Sequence, residues 1–150
     1  MAVLFLDTSA LVKLYVAEPG TDNVVRLASD PDLDPVVILD LAILEFRSAV
    51  RRRQRERDVA QSAAEQILRK AEHDASSVFL LQPSGPAVIE EALRMVDSYP
   101  LRAFDALQLA GGLVAGYRAG SAVTFACADT TLCEAARQEG LSVVNPIAPV

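Results

Sequence analysis

The 150-residue chain has no tryptophan, a single histidine and only two cysteines, and each scarcity removes a class of chemistry. His73 lies in the polar run Lys70-Ala71-Glu72-His73-Asp74, which reads as a solvated helix end. A Ser-His-Asp or Cys-His nucleophile mechanism therefore has almost nothing to stand on. Cys127 and Cys133 lack metal-ligand spacing and have no histidine near them, so neither a disulfide framework nor a zinc site is indicated. Both are read as reduced packing residues. Apolar stretches are broken by a charge or proline within about a dozen residues, well short of the roughly 20 that cross a bilayer. Met1 to Asp7 lacks the basic start, sustained apolar run and cleavage site of a secretory signal, so the expected location is cytoplasmic, with no membrane partner.

Positive charge is also in deficit. Fourteen basic residues stand against 20 acidic ones, a formal net charge of -6, which argues against coating of nucleic acid by the whole surface. A local patch remains: Arg47, Arg51, Arg52, Arg53, Arg55 and Arg57 crowd one short stretch. With 51% hydrophobic and 23% charged residues, the length suits one core, and residues 1–150 are expected to form a single domain.

The apolar pattern alternates between strand and helix. Val3 to Leu6 has the character of a strand buried on both faces, and Asp7 ends it. A helix follows, capped by Thr8 or Ser9, with Leu11, Val12, Leu14 and Tyr15 at helical spacing until Glu18-Pro19-Gly20. A second helix runs from about Thr21 to Ser29. Asp30 to Pro35 reads as a loop, and Val36 to Leu39 as a short strand. Asp40 is expected to cap the helix that ends in the arginines, where cations suit the helix dipole. Further helices are expected over about Asp58 to Ala75, Pro86 to Val96, Arg102 to Tyr117 and Thr130 to Glu139. Gly111 and Gly112 permit close packing of the third of these. Strands are expected at Val78 to Leu81, Val123 to Ala128 and Ser142 to Val144. Strands separated by helices, with no hairpin signal, imply an α/β fold with a parallel sheet covered on both faces.

Four acids stand apart from the other sixteen. Asp7, Glu45, Asp105 and Asp129 are each a lone carboxylate among neighbours that belong in a core, where a charge needs an arginine, a helix N-terminus or a metal ion. Asp7 and Asp129 lie where parallel strands end, the edge at which open α/β sheets place ligand crevices. Taken singly, Asp7 and Asp129 read equally well as helix caps, and Glu45 and Asp105 as exposed or ion-paired. Taken together, converging carboxylates repel unless a cation joins them. Oxygen donors without a usable histidine favour magnesium (Mg2+) or manganese (Mn2+) over zinc.

Leu6-Asp7-Thr8-Ser9-Ala10-Leu11-Val12-Lys13-Leu14-Tyr15, Leu44-Glu45-Phe46-Arg47-Ser48-Ala49, Leu101 to Ala110 around Phe104-Asp105-Ala106-Leu107-Gln108, and Phe125 to Asp129 with Ala135 to Leu141 resemble, in order, the signature blocks of PIN domains. The similarity is greatest to the VapC-type toxins of toxin-antitoxin pairs and spans essentially the whole chain. It implies a three-layer α/β/α sandwich with a central, mostly parallel sheet, and a metal-dependent endoribonuclease leaving 3′-hydroxyl and 5′-phosphate ends. Asp7, Glu45, Asp105 and Asp129 match the family's acidic quartet, as catalytic and metal-holding residues, and Thr8 or Ser9 its supporting hydroxyl. Cys127 and Gln108 depart from it: the family often has a hydroxyl residue two places before the last acid and a histidine three places after the third.

The resemblance further implies an RNA substrate, a homodimer and a cognate VapB-type antitoxin whose tail lies over the active-site groove. Arg47, Arg51 and Arg102 are the candidates to hold RNA phosphates. Arg53, Arg55 and Arg57 read equally as a solvated helix end. The first helix has an aliphatic side, Leu11, Val12, Leu14, Tyr15 and Val16, broad enough to suggest a partner groove or ordinary core packing. A haloacid-dehalogenase-type phosphatase would need an aspartate where Ser9 stands. A receiver-type signalling domain would need a lysine near its last strand, and Lys13 and Lys70 are the only lysines. The remaining alternative is a catalytically silent PIN domain acting as an RNA-binding or scaffold module.

Overall fold

The structure, a computed structural model, describes residues 2–148. Its strands are β1 (Ala2–Leu6), β2 (Leu33–Leu39), β3 (Leu80–Gln82), β4 (Val123–Ala126) and β5 (Ser142–Val144). Between them run α1 (Thr8–Lys13), α2 (Thr21–Ala28), α3 (Ala42–Arg55), α4 (Gln61–Ser77), α5 (Pro86–Ser98), α6 (Ala103–Ala119) and α7 (Thr130–Gln138). The sheet order is β3-β2-β1-β4-β5, and every pairing is parallel. The chain builds outward from β1 in one direction, then returns to build in the other. That reversal opens a crevice beyond the carboxyl ends of β1 and β4.

Burial follows from the strand period. Phe5 and Leu39 point toward α6, while Ile38 points toward α3 and α4, where Phe46 and Leu68 meet it. The α6 helix carries no side chain at Gly111 and Gly112, and the space goes to the sheet. A Cβ on Gly111 would lie 2.8 Å from Leu39 Cδ1, and one on Gly112 would lie 2.9 Å from Phe125 Cδ2. Phe5 and Phe125 stack beneath it, with ring centroids 5.5 Å apart. Helices on both faces of a parallel sheet give the three-layer sandwich.

Several boundaries differ from expectation. The cap of α1 is Asp7, not Thr8 or Ser9, and α1 stops at Lys13, because the chain turns at Leu14. Its aliphatic side is consumed internally: Leu11, Val12 and Val16 are buried, and Tyr15 packs edge-on against Phe46 while its hydroxyl donates to Asp74 at 2.6 Å. Asp40 does not cap α3, whose N-cap is Leu41. Its carboxylate instead accepts from the Leu41 and Ser84 backbone amides, tying the end of β2 to the end of β3. The β2 strand starts three residues early, at Leu33. Ala2 pairs with Leu33 and Leu4 with Val36, so one extra residue on β2 is absorbed as a bulge beside Pro35, which has no amide to donate. The Asp34–Pro35 peptide is cis. No helix among the described residues is long and apolar enough to cross a membrane.

Candidate functional site

The first acid is placed by β1 and fixed by the helix it caps. Asp7 donates its backbone N–H to the Ala126 carbonyl at 3.1 Å, so it stands at the seam between β1 and β4. One carboxylate oxygen, Oδ1, accepts from the Ala10 amide at 2.9 Å and from the Ser9 hydroxyl at 2.6 Å. Ser9 Oγ in turn accepts from the Ala128 amide at 3.0 Å. The loop after β4 is thereby registered on the loop after β1. Asp129 uses the same device, capping α7 through the Leu132 amide at 2.8 Å. Helix capping and membership of a site are compatible, since both acids also line one cavity.

That cavity, about 930 Å³ and open to solvent, is lined by Asp7, Glu45, Asp105 and Asp129 together with Thr8, Ser9 and Gln108. Glu45 arrives from α3 and Asp105 from the first turn of α6. A triangle of polar groups holds Glu45. Thr8 Oγ1 donates to Glu45 Oε1 at 2.9 Å, and Gln108 Nε2 donates to Thr8 Oγ1 at 2.9 Å and to Glu45 Oε1 at 3.0 Å. Asp105 and Gln108 are three apart on α6 and share a face. Gln108 is 2% exposed, and its Oε1 is a buried side-chain oxygen without a hydrogen-bond partner among the described residues.

The acids feel one another. Burial pushes the Asp7 carboxyl up to about 7, the Ser9 and Ala10 hydrogen bonds oppose it, and the charges of Asp105 and Glu45 add to it. Asp105 is also raised, first by burial, then by Asp129 and Glu45, with Arg102 pulling the other way. An oxygen-only set of mutually repelling carboxylates suits a hard divalent cation such as Mg2+ or Mn2+, and the unpartnered Gln108 oxygen offers a further acceptor beside it. Among the described residues, no three acids are drawn closely enough to enclose an ion as they stand. The fit lies in the donor chemistry and the shared cavity.

The cations divide differently from the sequence reading. Arg102 lines the cavity, but Arg47 and Arg51 do not. Arg47 pairs with Glu72 and Arg51 with Glu65 at 2.9 Å, both on α4. Arg52 and Arg53 line the cavity instead, together with Lys13. The signal was helical phase: Arg52 and Arg53 follow Glu45 by seven and eight residues and return to its face, whereas Arg47 and Arg51 do not. Lys13, 5% exposed, binds Glu18 at 2.7 Å, and Glu18 also pairs with Arg53. Arg52 and Arg102 have no ion pair among the described residues.

No curated protein matches the sequence. The fold has solved counterparts. FitAcB from Neisseria gonorrhoeae superposes with a TM-score of 0.64 at 18% identity, covering 96% of this chain and 98% of that one. VapC20 of Mycobacterium tuberculosis, a sarcin-ricin loop cleaving toxin, gives 0.65 at 20% identity, covering 95% and 97%. A toxin-antitoxin complex from Klebsiella pneumoniae gives 0.61 at 16% identity, covering 99% and 100%. The model of the PIN domain matches residues 4–125, which take in β1 through most of β4 and three of the four cavity acids, and the chain belongs to the PIN domain family.

Proposed function

We propose that this chain is a metal-dependent endoribonuclease, the toxin of a toxin-antitoxin pair, acting in the cytoplasm as a homodimer and neutralised by a cognate antitoxin. One observation carries the reading. Asp7, Glu45, Asp105 and Asp129, scattered along the chain, line a single cavity flanked by Arg52 and Arg102. The solved counterparts support it, one being a sarcin-ricin loop cleaving toxin and another a toxin-antitoxin complex.

The four acids would hold Mg2+ or Mn2+, which when bound supplies the positive charge and Lewis acidity that phosphodiester hydrolysis by water requires. The chain's own groups do the rest. Ser9 and the Ala10 amide orient Asp7 through one oxygen, and its other oxygen accepts no hydrogen bond among the described residues. Thr8 and Gln108 fix the direction of Glu45. Arg52 and Arg102 hold substrate phosphates that the acids alone would repel. Arg47 and Arg51, engaged with α4, are set aside from that role.

The test is cleavage of total RNA with magnesium by the unmodified chain, Asp7→Ala and Asp105→Asn, with a chelator control. Cutting by the unmodified chain alone supports the reading. Identical fragment patterns from all three would sink it, and RNA binding without cutting would leave the silent module in its place.

A further inference from the structure

The two cysteines, unrelated by any sequence spacing, meet in the fold. Cys127 follows the last residue of β4, Cys133 lies in the first turn-and-a-half of α7, and their sulfurs are 2.6 Å apart. Two unbonded sulfurs do not pack so closely at rest, and the contact is only a little longer than a covalent S–S bond of ~2.05 Å. Both side chains are fully buried, and no other thiol competes, because the chain has only these two. Asp129 lies between them in sequence. Its backbone carbonyl accepts the Cys133 amide at 2.9 Å, so the turn that presents Asp129 is the turn the two sulfurs would close.

We infer that Cys127 and Cys133 form a reversible dithiol-disulfide couple, a modification site that clasps the Asp129 turn. The oxidant is a peroxide, small enough to reach the sulfurs when the first turn of α7 opens. Cys133 sulfur attacks one peroxide oxygen, the O–O bond breaks, and a sulfenic acid and one water result. Cys127 sulfur then displaces the sulfenic oxygen, forming the S–S bond and releasing a second water. Two thiol hydrogens and two electrons have left the protein, and one peroxide has been reduced. A dithiol reductant reverses the change. Because the sulfurs start almost in place, the bond forms without rearranging Asp129, and its effect is to restrain the turn.

The couple does not depend on the acidic cavity being a nuclease site, and its test needs no RNA. The native chain is treated with hydrogen peroxide, unfolded, alkylated and digested without reductant. Expected are no free thiol, one peptide joining Cys127 to Cys133, a monomer on non-reducing gels, and full recovery of both thiols after reduction. The oxidised chain should melt about 5 °C above the reduced one, and Cys133→Ser should show no such difference. Two alkylated cysteines after peroxide, sulfinic acids in place of a bridge, or bridges between chains would each overturn the inference. The mapping on the unmodified chain decides even if the serine variant does not fold.

Discussion

Replacing Asp7 by asparagine should stabilise the cation-free protein at alkaline pH while removing a residue of the proposed site. Asp7 is 4% exposed, and burial, with the charges of Asp105 and Glu45 behind it, lifts its carboxyl from 3.8 to about 7. The native state therefore holds the proton more tightly than the unfolded chain does. This group's contribution to stability is fully present below pH 3.8 and is lost as the pH rises through about 7. The interval spans roughly three tenfold steps at about 1.4 kcal/mol each, so the ionised carboxylate costs the fold on the order of 4 kcal/mol near pH 8. Asparagine keeps an oxygen for the Ser9 hydroxyl and the Ala10 amide and carries no charge. Urea unfolding with a chelator present should place the Asp7→Asn midpoint about 1 M or more above that of the unmodified chain near pH 8. Near pH 5 the advantage should shrink to about 1–2 kcal/mol. Excess magnesium should narrow the gap by binding the unmodified native state. An Asp7→Asn variant no more stable near pH 8, or favoured equally at both pH values, would refute the reasoning.

Gln108→Leu should keep the fold and weaken Mn2+ binding about tenfold by calorimetry, because Glu45 loses the donor that orients it; unchanged affinity would remove Gln108 from the site. Arg102→Ala should weaken RNA binding and lower its salt dependence by about one counterion, whereas Arg47→Ala should leave both unchanged, as read from titrations at several salt concentrations. Equal effects would show that the cavity does not define the RNA path. Gly112→Ala should cost about 1–3 kcal/mol in denaturant melts, since its Cβ meets the Phe125 ring at 2.9 Å. A neutral result would mean that the stacked pair shifts freely.

The elements with strong period were legible from residues alone. Val3 to Leu6 and Val123 to Ala128 could be recognised as buried strands because all but Thr124 are apolar and an aspartate follows each run, although the second strand ends at Ala126. The start of β2 was hidden, because Asp34 and Pro35 carry turn chemistry that a local bulge accommodates. The first helix was read too long, because Leu14, Tyr15 and Val16 are apolar for reasons of packing and not of helical continuation. At the site, the four acids stood out through their apolar neighbours. The Thr8–Glu45–Gln108 triangle did not, since it joins three elements whose distances only the folded chain defines. Arg102 lines the cavity as its closeness to Asp105 suggested, but Arg47 and Arg51, close to Glu45 along the chain, are turned toward α4, because rotation about α3 is what counts.

The outermost strands, β3 and β5, are three residues each. A ribbon that ends so abruptly exposes few free amides and carbonyls along its margins, too few to recruit a neighbouring chain by lengthening the ladder. Self-association by strand addition is disfavoured accordingly, and the tendency of this protein to stack into fibrils should be low even when concentrated.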